Sequence, residues 1–186
     1  IVLGSSGKSK IIDYVKEFQK TKIKRHYQKS IEEYQTFEEL KMGRLQKHTR
    51  GFIKIQDGCE NFCSYCLIPY ARGPIRSRDM TSVLEEIKNL VDSGVKEVIL
   101  SGINTGTYGK DLGNITLAEL VDSILSTFPQ LARLRLSSIE LLEITDELLA
   151  LFRKYPERLA KLLHIPLQAG SDSVLKRMNR RYTTLE

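Results

Sequence analysis

Outside one run of eight residues, this 186-residue chain has no cysteine at all. A disulfide framework spread through the fold is therefore excluded. Long apolar runs are missing too, and nothing approaches the roughly 20 residues that a membrane-crossing helix requires. No signal peptide opens the chain, which does not begin with Met. Tandem repeats and low-complexity tracts are also absent. Ile1-Val-Leu-Gly4 reads as the middle of a strand and Thr183-Thr-Leu-Glu186 as the middle of a motif, so the expectation is a piece of a longer chain. Free, clustered cysteines fit a reducing cytoplasm.

What remains is ordinary for a globular protein, with 41% hydrophobic and 28% charged residues. The net charge of +6 is unevenly placed. Residues 1–58 hold 13 Lys or Arg against 7 Asp or Glu, whereas residues 59–186 hold 16 of each. A basic stripe of this kind attracts phosphate backbones, although a lysine-rich solvated linker has the same composition.

Residues 1–18 read as a strand end, a Gly-Ser-Ser-Gly turn and a helix with Ile11, Ile12, Val15 and Phe18 on one face. Residues 19–50 are polar, lysine-rich and aperiodic, and are expected to form a linker. From Phe52 a rhythm begins. Strands are expected at 52–56, 97–101, 134–138 and 162–167. Helices are expected at 82–93, 117–126 and 146–154, with a last one starting near Ser171. Strands that alternate with helices need crossovers, and hence a parallel sheet. The apolar runs Val98-Ile-Leu100 and Leu162-Leu163-His-Ile165 suggest strands covered on both faces. His164 in the last of these reads as a core histidine.

The cysteine run itself is Cys59-Glu-Asn-Phe-Cys63-Ser-Tyr-Cys66. Three thiolates this close can hold three corners of a 4Fe–4S cluster and leave one iron open to a ligand. Structural zinc is an alternative, but it prefers four ligands, and His26, His48 and His164 all stand far from the triplet. Cys63-Ser-Tyr-Cys66 could also be a redox pair, which would leave Cys59 unexplained. Phe52–Gln56 reads as a strand ended by Asp57-Gly58, so the cysteines occupy the loop at its C-terminal end.

With aromatic Tyr65 before the last cysteine, the run resembles the radical S-adenosylmethionine (SAM) superfamily. Gln56-Asp-Gly-Cys59, Pro69-Tyr-Ala-Arg-Gly-Pro74 and Arg76-Ser-Arg78 are similar to its methylthiotransferase family. Within that family, Arg133-Leu-Arg-Leu-Ser-Ser-Ile-Glu140, His164–Asp172 and Lys176–Thr183 resemble the branch that modifies threonylcarbamoyladenosine in tRNA. The chain departs from the pattern at Ala169, usually Ser, and at Leu141-Leu142, where Pro-Gly or Pro-Thr is common. Other branches modify isopentenyladenosine in tRNA or a ribosomal protein, and a non-catalytic iron–sulfur module that binds RNA is a further alternative.

The resemblance implies an α/β fold: a partial parallel TIM-like barrel of the radical SAM type, of which about four βα units fall here. It divides the chain into the tail of an N-terminal domain (1–18), a basic linker (19–50) and a radical SAM domain (51–186). It implies Cys59, Cys63 and Cys66 as ligands of a 4Fe–4S cluster that reduces SAM to a 5′-deoxyadenosyl radical. A second 4Fe–4S cluster would sit in a preceding domain, and flavodoxin or ferredoxin would supply electrons. In barrels of this kind chemistry sits at the C-terminal strand ends. The polar clusters fall there: Ser101, Gly102 and Asn104 after one strand, Ser138 and Glu140 after the next, and Gln168 after the last. With Tyr65 they are the candidate SAM contacts, although each alone is ordinary turn chemistry. Arg72, Arg76, Arg78, Arg180 and Arg181, with Lys176 and Arg177 nearby, are candidates for gripping a tRNA anticodon loop, since Arg suits phosphate. Pairing with Asp or Glu is the alternative for each.

Overall fold

The protein is described by a computed structural model that covers residues 1–40, 48–113 and 115–186. Its centre is a parallel sheet of β3 (Arg50–Lys54), β6 (Glu97–Ser101) and β7 (Arg133–Leu136), in the order β3-β6-β7. Helix α3 (Met80–Asp92) connects the first pair and α4 (Leu117–Thr127) the second; α5 (Asp146–Lys154) follows β7. The expected strand 97–101 and helix 146–154 coincide with observed elements, and the other three expected helices begin within two residues of theirs.

Local chemistry explains the helix starts. Asp79 accepts a hydrogen bond from the Ser82 amide at 3.1 Å and caps α3. Thr116 and Glu119 form a reciprocal capping box on α4, and Thr145 accepts from the Leu148 amide on α5. Each cap satisfies amides that have no partner inside the helix, worth about 1 kcal/mol.

The register sorts the two faces of the sheet. Gly51, Val98 and Leu134 lie side by side, as do Ile53, Leu100 and Leu136. This face is sealed by Val83, Ile87 and Leu90 of α3 and by Leu120, Val121 and Ile124 of α4. Each such fully buried aliphatic side chain contributes about 1.5–3 kcal/mol. The opposite face aligns Phe52, Ile99 and Arg135. Phe52 is 55% exposed, and Glu97 joins Arg50 (2.8 Å) and Arg135 (2.7 Å) across the strands. The expectation of strands covered on both faces is thus corrected: the helices that follow the strands all pack on one face.

The fourth expected strand is also corrected. Residues 159–164 touch β7 and its extension only through isolated bridges, Leu134 to Leu159 and Ser138 to His164. Five residues on one side, 134–138, face six on the other, 159–164, and the extra residue is absorbed where the Leu162 amide bonds the Ala160 carbonyl at 2.7 Å. One extra residue breaks a ladder. Leu162, His164 and Ile165 are exposed, so His164 is not a core histidine.

In the leading segment, β1 (Val2–Leu3) pairs in parallel with β2 (His26–Tyr27), and α1 (Ile11–Thr21) joins them. The apolar residues of α1 stay largely open, with Ile12 60% exposed. Within 19–50, Tyr34 is buried and Arg76 donates to its carbonyl at 3.3 Å, while residues 41–47 lie outside those described. Among the described residues no helix is long and apolar enough to cross a membrane.

Candidate active site

Two short strands set the cysteine loop. β4 (Gln56–Asp57) pairs antiparallel with β5 (Arg76–Ser77), closing residues 58–75 into a loop at the C-terminal end of β3. Sequence patterning alone does not reveal this ladder, because two-residue strands carry no period. The Cys59 amide bonds the Gly73 carbonyl at 3.1 Å, tightening the base. Gly58 lies at φ +78°, and a Cβ there would stand 1.8 Å from the Pro74 carbonyl oxygen. Only glycine fits that turn. Helix α2 (Ile68–Arg72), with Pro69 in its first turn, carries the chain back.

Asp57 anchors the base from within. Its carboxylate accepts from the Gly58 amide at 2.9 Å and from Lys54 at 2.5 Å, with Arg76 at 3.5 Å and Arg72 at 3.7 Å. Burial alone would raise its pKa; the Lys54 hydrogen bond and charge, the Gly58 amide and Arg72 outweigh burial and hold it below the usual carboxylate value.

Cys63 is buried, and Cys59 and Cys66 are half-buried; all three are free thiols. The Cys66 amide bonds the Cys63 carbonyl at 2.9 Å, so these two lie on one turn. Burial pushes the Cys59 thiol up, and the charges of Cys63, Cys66 and Glu140 push in the same direction. A metal entering here must displace protons. Three soft sulfur donors suit iron–sulfur chemistry. Among the described residues no three His, Cys, Asp or Glu groups gather as a site for a single ion. A cubane asks for something else, since each thiolate meets a different iron. The donor set therefore fits a three-cysteine 4Fe–4S cluster better than a lone zinc.

A clasp from the chain's last helix grips this loop. Past α6 (Asp172–Arg177), the Met178 carbonyl accepts from the Ser64 amide at 3.1 Å. Asn179, at φ +57°, donates to the Phe62 carbonyl at 2.9 Å. Arg180 donates to the Cys63 sulfur at 3.2 Å and forms an ion pair with Glu140. Tyr182 then bonds the Pro166 and Leu167 carbonyls at 2.9 and 3.0 Å. A cavity of about 270 Å³ opens beside the clasp, lined by Cys63, Lys110, Glu140, Asn179, Arg180 and Arg181. The one sequence hint was Asn179, a residue type that tolerates positive φ at a helix end.

The second rim comes from the turn after β6. Ser101 donates to the Ile53 carbonyl at 3.2 Å, and Thr105 to the Ser138 carbonyl at 2.9 Å, joining this turn to both neighbours. Asn104 is 3% exposed, yet among the described residues neither its Oδ1 nor its Nδ2 has a partner. The Ser137 hydroxyl is likewise buried and unpaired. Dry, unsatisfied polar atoms are costly and point to a missing ligand or water.

Not every expected residue reaches the site. Glu140 lines that cavity, whereas Ser101, Gly102, Asn104 and Ser138 stand at the C-terminal ends of β6 and β7 outside its lining. Gln168 is exposed at φ +62°, does not line the cavity, and stands beside exposed Leu167. Tyr65 is 52% exposed, yet its hydroxyl faces the site: burial raises its pKa, the charge and hydrogen bond of Cys63 add to this, and Arg180 opposes it.

Three of the five arginines assigned to RNA are corrected. The side chain of Arg76 is 5% exposed and bonds the Arg72 and Pro74 carbonyls at 2.8 and 3.0 Å. That of Arg78 is 3% exposed, paired with Glu86 and Glu39. That of Arg180 is 4% exposed and committed to Glu140 and Cys63. Buried cations must be paired, and a guanidinium that is buried and neutralised by its own carboxylate is not presented to phosphate. Arg72 remains partly open and Arg181 is exposed.

Residues 53–186 match the radical SAM superfamily. The chain is 39% identical over 183 residues to the threonylcarbamoyladenosine tRNA methylthiotransferase MtaB of Bacillus subtilis, covering 98% of this chain and 40% of that protein. The MtaB protein of Thermotoga maritima is 40% identical over the same share of this chain, which covers 41% of it. A tRNA-2-methylthio-N(6)-dimethylallyladenosine synthase of Finegoldia magna is 44% identical over 72% of this chain and 29% of its own length. This chain thus spans about two fifths of the MtaB relatives' length. Among solved structures, the radical SAM methyltransferase TsrM of Kitasatospora setae, with cobalamin and a [4Fe-4S] cluster bound, has a TM-score of 0.56 at 18% identity. The match covers 72% of this chain and 26% of that one. A three-cysteine loop at a strand's C-terminal end, a parallel α/β sheet and a superfamily match across most of the chain agree: this chain belongs to the radical SAM superfamily.

Proposed function

We propose that this chain is part of a radical SAM tRNA methylthiotransferase that converts N6-threonylcarbamoyladenosine beside the anticodon to its 2-methylthio derivative. The observation that carries this reading is the Cys59, Cys63, Cys66 loop within a chain about 40% identical, nearly end to end, to MtaB proteins. The three cysteines would hold a 4Fe–4S cluster, which when bound supplies the electron that cleaves SAM to a 5′-deoxyadenosyl radical. The protein's own part is positioning and the exclusion of water. Unpaired Asn104, with Ser101, Ser138 and Glu140, would bind the polar groups of SAM, and Gly102 keeps the backbone bare there. Tyr65, beside Cys63, Arg180 and Glu140, would meet SAM where it stands, and Gln168 would reach it only through movement of its exposed segment.

Arg181 and Arg72, both accessible, would meet the anticodon loop, where unstacked bases are open to contact. The sheet would form one side of a partial barrel. A second 4Fe–4S cluster, a flavodoxin or ferredoxin reductant and a cytoplasmic setting complete the reading. Similarity to dimethylallyladenosine synthases favours one other substrate, isopentenyl-type adenosine.

The test is anaerobic reconstitution of the full-length protein, reduction, addition of SAM and assay for 5′-deoxyadenosine. Activity lost in Cys59→Ala, Cys63→Ala and Cys66→Ala supports the reading, and no product from cluster-loaded wild type overturns it. Mass spectrometry of nucleosides from tRNA incubated with the enzyme then separates the two adenosine substrates.

A further inference from the structure

We infer that Gln56 is a positioning residue whose side-chain amide locks the cysteine loop to the turn after β6, fixing the two halves of the ligand site in one register. The inference rests on the SAM-binding reading above.

Gln56 is 0% exposed. Its Nε2 donates to the Asp57 carbonyl at 2.9 Å and to the Gly58 carbonyl at 2.8 Å, the two residues that lead into Cys59. Its Oε1 accepts from the Ile103 and Asn104 amides, each at 3.0 Å. Both amide hydrogens and both lone pairs are therefore used, which saturates the group. The partners belong to segments 47 and 48 residues apart in sequence. One planar amide thus joins the two loops just beyond the last contacts of the β3–β6 ladder, where Lys54 pairs with Ser101 and the Ile55 amide bonds the Ser101 carbonyl at 2.9 Å.

Two neighbouring features depend on this arrangement. Gly102 packs on Gln56 so closely that a Cβ there would lie 3.0 Å from Oε1 and 3.1 Å from the Gln56 Cβ. Asn104 has its backbone amide held by Gln56 while its side chain is left buried and unpaired. The lock thereby spends the backbone of Asn104 and keeps its side chain available. A glutamine serving only the local turn would not also bond the second loop. Glutamate at this position is nearly the same shape, but it would face two carbonyls with no donor.

The experiment compares wild type, Gln56→Glu and Gln56→Met in the full-length reconstituted protein. Iron content and the EPR signal of the reduced cluster, both without SAM, show whether the cysteine loop still binds. The expected result is near-normal cluster loading, with the SAM-induced change in the EPR signal weakened and KM for SAM raised about tenfold. Wild-type KM and an unchanged SAM response in both variants would overturn the inference while leaving the proposed function standing. If wild type itself neither responds to SAM nor makes 5′-deoxyadenosine, the proposed function falls, and this inference with it. Should both variants fail to fold, hydrogen exchange on wild type decides. SAM should slow the Cys59, Ile103 and Asn104 amides together, and slowing on one loop alone would refute the lock.

Discussion

At the scale of single residues, the site depends on positions that carry no reactive group. Gly58 is one. Alanine there would meet both a positive φ and the Pro74 carbonyl. Gly58→Ala is expected to cost about 1–3 kcal/mol from backbone strain alone. The loss should appear as a lowered Tm together with reduced iron uptake on reconstitution. Glu97, the first residue of β6 and at the far end of the sheet from the site, supports the sheet instead. Burial opposes its ionisation, but hydrogen bonds and charge from Arg135 and Arg50 win and hold its pKa below the ordinary value. A depressed folded-state pKa stabilises above the unfolded-state pKa of about 4.3, and that contribution fades as pH falls through the lower folded value. Glu97→Gln should therefore be less stable than wild type near pH 7. The deficit is on the order of 1 kcal/mol, because Arg50 is largely solvated. Urea titrations should show the two proteins converging as pH drops below 4.

Among elements, the contrast lies between ladders that share a register and a segment that slips. β3, β6 and β7 align residue by residue, whereas residues 159–164 gain one residue against β7. Protection against hydrogen exchange follows continuous ladders and burial. The amides of Val98 and Leu100 are expected to exchange by global unfolding, and those of Leu163, Ile165 and Leu167 far faster. Equal protection in both sets would mean that the last segment forms a true strand in solution.

Taken whole, the molecule spends Arg76, Arg78 and Arg180 on holding itself together around the loop. Arg78 ties β5 to Glu86 of α3 and to Glu39 of the leading segment, and its carbonyl accepts from the Tyr108 hydroxyl at 2.9 Å. Arg78→Leu breaks the buried ion pair with Glu86 and should cost about 3–5 kcal/mol. Arg181→Ala removes an exposed side chain and should leave Tm nearly unchanged. If Arg181 meets RNA, its loss should weaken tRNA binding and lower the salt dependence of affinity by about one phosphate contact. Calorimetry and tRNA binding at several salt concentrations separate the two roles.

The sequence by itself determined the local chemistry. A cysteine triplet at 59, 63 and 66 limits the metal chemistry, and Asp79, Thr116 and Thr145 start helices from contacts only three residues away. The run 146–154 declared its element because its apolar residues repeat with the helical period, and 97–101 because a short unbroken apolar run reads as a strand. Only the tertiary structure decided the rest. Arg76, Arg78 and Arg180 look the same in sequence as Arg181; whether an arginine is spent or available depends on carboxylates such as Glu140 that stand 40 residues distant. Gln56 gives no signal either, because an amide shows what it holds only when both loops are in place. Pattern reveals what a residue's near neighbours impose, and folding alone brings together the partners that settle a charge or saturate a hydrogen bond across the chain.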